Sequence, residues 1–540
     1  MGAVIQPCDA GVVGSTKASA PCPIPSRRWV IAATGLGSGM AFLDSTVVNV
    51  SLPAVQADFG ATLQDVQWVY GAYALVLTAL LLVGGSLGDH YGRRRVFSLG
   101  VALFAASSLW CALASSPEQL IAARATQGLG GAMMVPGSLA ILGASFEETL
   151  RAKAIGTWAA LSGTAMAVGP VLGGWLVENI SWRAAFLINV PLAIVTLLIV
   201  FRHVPESREP EAARLDFGGA LVATVGLGAL VYGLIRSPSV GLWDASVLAP
   251  LAVGLLSLAA FVFVESKSKK AMMPLSLFRS RDFDGVSLFT LLFYMSLTGS
   301  LYFLPFLLIQ VHGYSALVAG SVFLPFVAMA FVLGYLSGRI VTRFGVRLPL
   351  IVASLALAVG FLLFALPGAN HHGSYWTSFF PAMVVQGFGM ALVIAPLTTV
   401  ALNSVEGPHS GLASGVNNAV CRAGGLLAVA VLGTVISAGF SAHRDTRMEA
   451  IEVSQEVKEA VAAEKVKLGA AEAPEGVSAD TAVRIEEAMA ESFVAGFRLV
   501  MVMGVGLALA SALVALVISP QHATPARPWS SLHALMHRSS

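Results

Sequence analysis

The chain is 540 residues long, 56% hydrophobic and only 11% charged, with a formal net charge of +2 at pH 7. A charged share so far below the usual value of about 25% excludes a soluble fold and gives no basic surface for a nucleic-acid partner. What carries information is where the few charges lie.

Residues 1–28 are rich in Pro, Ala, Gly and Ser, with neither a charged leader nor a sustained apolar core. They read as a disordered tail rather than a signal peptide. Fourteen apolar stretches follow, at 29–51, 66–88, 95–115, 118–141, 153–177, 183–202, 217–236, 246–265, 286–310, 318–340, 347–367, 376–400, 411–438 and 493–518. Each is long enough to cross a hydrocarbon core of about 30 Å as a helix. Lys and Arg collect in alternate loops: Arg93 to Arg95, Arg151 and Lys153, Arg202, Arg208 and Arg214, Lys267 to Arg281, and Arg339, Arg343 and Arg347. Of the opposite short loops, Arg183 and Arg236 are the exceptions. The positive-inside rule makes the basic loops cytoplasmic, and an even number of spans places both termini there, including the tail 519–540.

Between spans thirteen and fourteen lies a polar, acidic segment, residues 441–492, expected outside. Met448 to Leu468 and Ala479 to Ala490 have loosely helical apolar spacing, consistent with a solvated helical hairpin or with a lid over a cavity. Gln127-Gly128-Leu129-Gly130 in span four is echoed by Gln386-Gly387-Phe388-Gly389 in span twelve, and Gly156 in span five by Gly415 in span thirteen. That offset of eight spans implies two six-helix halves with two helices inserted between them, as in repeated transporter bundles. The expected organisation is all-α: a six-helix bundle over 29–202, two inserted helices in 203–270, and a second six-helix bundle over 271–518.

A charged side chain in mid-membrane costs about 2.5–3.5 kcal/mol even on insertion scales, so each one asks for a reason. Asp44 in span one and Arg124 in span four lie about 10 Å and about 9 Å from the outer ends of their spans, at 1.5 Å per residue. At similar depth they could meet directly or through water. Arg124 has no counterpart in the repeat, where Met383 stands. Either Asp44 carries a coupling proton whose affinity Arg124 controls, or the two form a static ion pair that fixes helix register. Arg422 in span thirteen, beside Asn417 and Asn418, is the other intramembrane charge; it faces a cavity or caps a neighbouring carbonyl.

At the basic end of span two, Gly85-Ser86-Leu87-Gly88-Asp89-His90-Tyr91-Gly92-Arg93-Arg94-Arg95 combines close-packing glycines with an acid able to meet a helix N-terminus or a basic side chain. The arginines are expected in the aqueous and headgroup layer. Gly163, Gly169, Pro170, Gly173 and Gly174 make span five easy to bend, since Pro removes a backbone donor and Gly admits close neighbours. No phosphate loop is present, because Gly11 to Lys17 has the wrong spacing and context. Cys8, Cys22, Cys111 and Cys421 have no metal or disulfide spacing, and His371-His372 is at best a weak metal site.

The segment 85–95 resembles the signature between helices two and three of the major facilitator superfamily. Leu120 to Gly128 is similar to that superfamily's arginine motif, and the span-five glycines to its antiporter motif. Leu43-Asp44-Ser45-Thr46-Val47-Val48-Asn49-Val50-Ser51-Leu52-Pro53, Leu215-Asp216, Pro274 to Arg279, and Asn418 to Gly425 are similar to the fourteen-helix drug:proton antiporter family. The segment Ser181 to Pro191 departs from it at Ala184, where the family has an aromatic. The resemblance implies no enzyme and no cofactor, but export of small amphiphilic compounds in exchange for protons by alternating access. On this view Asp44 and Arg124 couple the proton, Gly85, Asp89, Gly92 and Arg93 form a cytoplasmic gate, and Asn49, Gln127, Asn417, Asn418 and Arg422 line the substrate cavity. The substrate is as readily neutral, zwitterionic or anionic as cationic. The resemblance further implies a monomer surrounded by lipid in a plasma membrane, most naturally a bacterial inner membrane, and leaves a periplasmic adaptor open. An importer on the same scaffold and a non-transporting receptor are the alternatives.

Overall fold

The computed structural model describes residues 26–209, 216–267, 273, 275–366, 374–404, 410–451, 453–463, 469, 474 and 477–520. The expectations for most of both tails, for Gly11 to Lys17, Cys8, Cys22, Leu215, Pro274, His371 and His372 fall outside the described residues. Among the described residues all regular structure is helical, and fourteen segments are long and apolar enough to cross a membrane. In chain order they are α1 (Arg27–Phe59), α2 (Leu63–Tyr91), α3 (Arg93–Leu113), α4 (Pro117–Ser145), α5 (Glu148–Asn179), the broken pair α6 (Ala184–Leu187) and α7 (Asn189–His203), α8 (Phe217–Val240) and α9 (Ala245–Lys267). After them come α10 (Arg281–Phe306) with a π-helical end at Leu307–Val311, the broken pair α11 (Ala316–Ser321) and α12 (Leu324–Phe344), and α13 (Arg347–Ala365). The broken pair α14 (Tyr375–Ser378) and α15 (Phe380–Asn403), α16 (Ser410–Glu449), the short α17 (Gln455–Ala463) and α18 (Ala479–Ala515) complete the chain.

The end bearing the basic loops is called here the basic end, and the opposite one the far end. Turns at the far end are set by local chemistry. Gly60 closes α1 in the left-handed region at φ +58°, and two residues later Thr62 opens α2 with a capping box to Asp65. Ser116 and Pro117 start α4 in the same manner.

The glycine repeat seen in the sequence has a packing meaning. In α4, Gly128 lies against the Tyr73 carbonyl and Val76 of α2, and Gly130 against Gly100 and Phe104 of α3. In α15, Gly387 lies against Phe326 and Met329 of α12, and Gly389 against Ala353 and Leu357 of α13. Each tetrapeptide therefore wedges one helix between two others in the same way, and α2, α3 and α4 correspond to α12, α13 and α15. The pairing of α1 with α5 and α7 is likewise repeated by α10 with α16 and α18. Between the halves, α8 packs on α2 and α16, with Val231 and Ile235 buried against Leu426 and Ala430, while α9 covers α8 from outside.

Two features depart from the expected spans. First, α16 continues past 438 to Glu449, and α18 begins at Ala479 rather than near 493. Hydropathy registers only the part of a helix immersed in hydrocarbon, and a helix can run on into water once its apolar stripe finds a partner. Here Met448, Ile451, Val461, Ile485 and Met489 are buried in the same cluster as the main core, and Arg447 pairs with Glu491 at 2.7 Å. The described parts of the segment are therefore packed on the far end of the bundle. Second, span six is broken at Ile188, three residues before Pro191, whose missing N–H leaves the Leu187 carbonyl without its helical donor.

Contacts between the halves gather at the far end. Asn49 of α1 donates to the Leu301 carbonyl of α10 (3.0 Å), Gln310 to Gln56 (3.0 Å), and Gln67 of α2 to the Val429 carbonyl of α16 (2.7 Å). The Leu317 N–H of α11 donates to Glu178 of α5 (3.0 Å). Gly174 is seated on the Ala316 carbonyl and Gly320 on that of Pro170, so α5 and α11 touch backbone to backbone. Among the described residues α5 meets the second half chiefly through α11 and not through α12. The molecule is shut at the far end.

Gly84 of α2 and Gly338 of α12 give a direct test of this packing. A Cβ on Gly84 would overlap the Ala132 carbonyl, whereas one on Gly338 meets nothing within 4 Å. Gly84→Val is expected to cost about 1–3 kcal/mol through overpacking, and Gly338→Ala to be neutral or gain up to about 1 kcal/mol. Thermal unfolding of the purified proteins checks both, and equal midpoints would contradict the packing described.

Candidate coupling site and gate

Five elements bring their polar side chains to one fully buried point in the first half. Asp44 of α1 and Arg124 of α4 are both 0% exposed and meet directly, Nη1 to Oδ2 at 2.6 Å. The other carboxylate oxygen, Oδ1, accepts from Gln127 Nε2 (2.8 Å) and from Asn189 Nδ2 (3.0 Å). Ser108 of α3 accepts from the same two amides, at 2.8 and 3.3 Å. Arg124 Nη1 also donates to Gln127 Oε1 (2.6 Å), and its Nε to the Val69 carbonyl of α2 (3.1 Å). The guanidinium lies 4.2 Å from the centre of the Tyr73 ring, so its remaining face rests on π density instead of water.

Desolvating two charges costs several kcal/mol each, and only close geometry with further hydrogen bonds offsets that. The cluster supplies both. Gln127 was expected along the substrate cavity, but it stands three residues after Arg124 on the same helix face and joins the carboxylate's shell instead. Asn189, Ser108 and Tyr73 were not anticipated. Asn189 carried a signal, an amide before Val-Pro in an apolar span, and the break at Ile188 makes it the first residue of α7. Ser108 carried none, because a serine in an apolar helix normally bonds its own backbone.

Asn49, also expected in the cavity, is instead a bolt between the halves. Pro305 has no N–H to give the Leu301 carbonyl four residues earlier, and the Asn49 amide takes its place. The span-five motif divides between two neighbours. Gly169 and Gly173 face Thr46 and Val47 of α1, one turn beyond Asp44, while Gly174 faces α11. Gly163 is buried.

At the basic end, Gly85 abuts Pro136 of α4, and the residues after it form a tight knot. Gly92 sits at φ +113°, a conformation that L side chains rarely adopt, and a Cβ there would meet Glu206 at 2.8 Å. Arg93 was expected in water or headgroups but is 1% exposed, pairing with Asp89 at 2.7 Å and donating its N–H to the Ser207 carbonyl (2.8 Å). Glu206, which the sequence reading passes over, accepts the Arg94 and Ser207 N–H groups (3.0 and 3.1 Å) and lies 3.8 and 3.6 Å from Arg94 and Arg95. The partners named for this knot all lie between Asp89 and Ser207, and none of them belongs to the second half.

In the second half, Asn417 accepts from Thr290 of α10 (2.9 Å), which ties two helices of the same bundle. Asn418 accepts from Arg422 Nε (3.0 Å). Arg498 of α18 is a further arginine inside an apolar span, omitted from the charge reading.

The coupling cluster predicts strong non-additivity. Arg124→Met leaves Asp44 buried without its counter-ion and is expected to cost about 3–5 kcal/mol. Asp44→Asn combined with Arg124→Gln, which removes both charges and keeps the amide contacts, should lie closer to the parent in thermal unfolding than Arg124→Met does.

With the geometry in hand, the likeness to known proteins is specific. Residues 34–429 match the family model of the Major Facilitator Superfamily. The chain is 36% identical to the multidrug resistance protein Stp of Mycobacterium tuberculosis over 77% of each chain. It is 33% identical to the tetracenomycin C resistance and export protein of Streptomyces glaucescens over 91% of each chain. The fold is shared with a bacterial homologue of the human lysosomal transporter Spinster, solved in an inward-facing, occupied conformation. That likeness has a TM-score of 0.62 at 18% identity and covers 93% of this chain and all of the other. The chain is a multi-span membrane protein that belongs to the Major Facilitator Superfamily of transporters.

Proposed function

We propose that this protein exports small amphiphilic compounds across a bacterial inner membrane in exchange for protons, with both termini in the cytoplasm. The relatives, a multidrug resistance protein and a tetracenomycin C resistance and export protein, support export of drugs. The alternation of basic loops supports the orientation. The observation that carries the coupling is Asp44 itself, the only acid among the described residues lying deep in a span. Glu265 sits in the last turn of α9, and the other acids lie at helix ends, in loops or in the polar extensions.

In this reading Asp44 holds the proton. As a carboxylate it is the acceptor on which Arg124, Gln127 and Asn189 converge. Protonation removes the charge and turns one acceptor oxygen into a donor, so the shell has to rearrange. The consequence travels along α1. Thr46 and Val47 seat the span-five glycines, and Asn49 holds α10, all within two turns of Asp44. A small rotation of α1 therefore acts on the α5 packing and on the cross-bundle bolt together. Residues 29–202 and 271–518 act as the two rocking bodies. The knot of Gly85, Asp89, Gly92 and Arg93 is released from the second half while the far end is shut, the inward-open half of an alternating cycle.

Two measurements test this. In proteoliposomes with a pH-sensitive dye, substrate should trigger proton release by the parent protein. Asp44→Asn, which keeps an acceptor for Arg124, should bind the compound and release no protons; proton release by that variant would remove the central claim. For orientation, Trp243 in the α8–α9 turn is 88% exposed. A cysteine there, with Cys8 and Cys22 replaced by serine, should react with a membrane-impermeant maleimide added outside intact cells.

A further inference from the structure

The seam between α2 and α16 is nearly continuous. Gln67 meets Val429, Gly71 lies 3.7 Å from Leu426, and Leu82 lies 3.1 Å from Gly415, counting from the Cβ each glycine would carry. Between the last two contacts each stripe carries polar groups, Thr78 on α2 and Asn418 and Arg422 on α16. Thr78 is seven residues after Gly71 and four before Leu82, on the side of α2 that faces α16. Arg422 is four residues before Leu426 and seven after Gly415, on the side of α16 that faces α2. In an antiparallel pair with this register Thr78 is level with residue 419, and Arg422 bends back one turn to bond Asn418 (3.0 Å). Its guanidinium is thus brought to the level of Thr78.

Both groups are unspent. Arg422 Nη2 and Thr78 Oγ are buried and have no hydrogen-bond partner among the described residues. This sets Thr78 apart from Thr34 and Thr46, which donate to carbonyls of their own helices. About two turns of α2 toward the far end from Thr78, the Tyr70 ring lies 5.3 Å from that of Tyr302 of α10, whose hydroxyl is also buried and unpaired among the described residues. Arg422 is within electrostatic reach of Tyr70 and Tyr73. The unspent groups here are donors, and the walls are aromatic. Asp44 is the one acid deep in a span among the described residues, and both its oxygens are taken by Arg124, Gln127 and Asn189. A buried donor left unmet costs about 1–3 kcal/mol, which an acceptor on a ligand recovers.

We propose that Arg422 and Thr78, flanked by Tyr70 and Tyr302, form the substrate anchor, and that it selects aromatic compounds bearing an anionic or acceptor-rich oxygen group over lipophilic cations. This deepens the export reading by naming the substrate class. It is tested without any gradient, so that its failure is separate from a failure of proton coupling. Binding of fluorescein and of rhodamine 6G, an anion and a cation on one xanthene frame, is measured by fluorescence polarisation on the purified protein. The parent should bind fluorescein at least about tenfold more tightly than rhodamine 6G. Arg422→Gln should lose that preference, Arg422→Lys should keep most of it, and Thr78→Val should weaken fluorescein about three- to tenfold, the scale of one lost hydrogen bond. Thermal midpoints identify any variant that fails to fold, and Thr78→Val, close to isosteric, then carries the test. Tighter binding of rhodamine 6G by the parent, or unchanged fluorescein affinity in a folded Arg422→Gln or Thr78→Val variant, would overturn the proposal.

Discussion

A carboxylate at the centre of an apolar bundle can stay charged only if its surroundings replace the water it has lost. Asp44 meets that condition with three donors from two helices, and those donors are themselves held by α2 and α3. The first half is organised around this demand. Arg124 needs a carbonyl and a ring from α2, Gln127 needs a serine from α3, and Asn189 needs a break in span six that turns it inward. Five elements are fixed relative to one another by one charge. The second half has Met383 in place of Arg124, and Gln386, the echo of Gln127, is buried with no hydrogen-bond partner for its amide among the described residues. The repeat preserved the scaffold and gave the charge chemistry to one copy.

A second constraint comes from backbone polarity. In hydrocarbon a carbonyl released from its helical bond must find another donor or a close neighbour. Pro305 releases Leu301, and Asn49 crosses between the halves to reach it. Pro136 likewise releases the Ala132 carbonyl, and Gly84 of α2 packs directly onto it. The prolines therefore act less as kinks than as places where one helix presents an acceptor to another. The glycines opposite them make the approach possible.

The inserted pair α8 and α9 makes the two sides of the molecule unequal. It backs the far-end part of the α2–α16 seam, where Ser237 of α8 lies 3.2 Å from Thr434 of α16 and Val231 and Ile235 pack against Leu426 and Ala430. The equivalent seam, α5 against α11 and α12, has no such support and is closed at the far end alone.

Much of this was legible in the sequence. Hydropathy set the number of spans because helices in lipid must be apolar for about 20 residues. The recurrence of Gln-Gly-aromatic-or-Leu-Gly marked the halves because close helix packing tolerates only small side chains at fixed spacing. The depth of Asp44 and Arg124, counted at 1.5 Å per residue, already placed the two charges at one level. Tertiary structure decided what those charges need. The roles of Ser108 and Asn189, the burial of Arg93 on Asp89, the clasp of Glu206, and the departure of Asn49 and Gln127 from the cavity depend on partners 3 to 252 positions away. Local spacing allows the pairs Asp89–Arg93 and Arg124–Gln127 but does not record the burial that makes them tight, and it is silent on the distant partners. Helical spacing at Ala479 to Ala490 was legible, but its continuity with span fourteen, and the run of α16 past 438, were not: hydropathy measures solvent preference, and those turns are held by each other rather than by lipid.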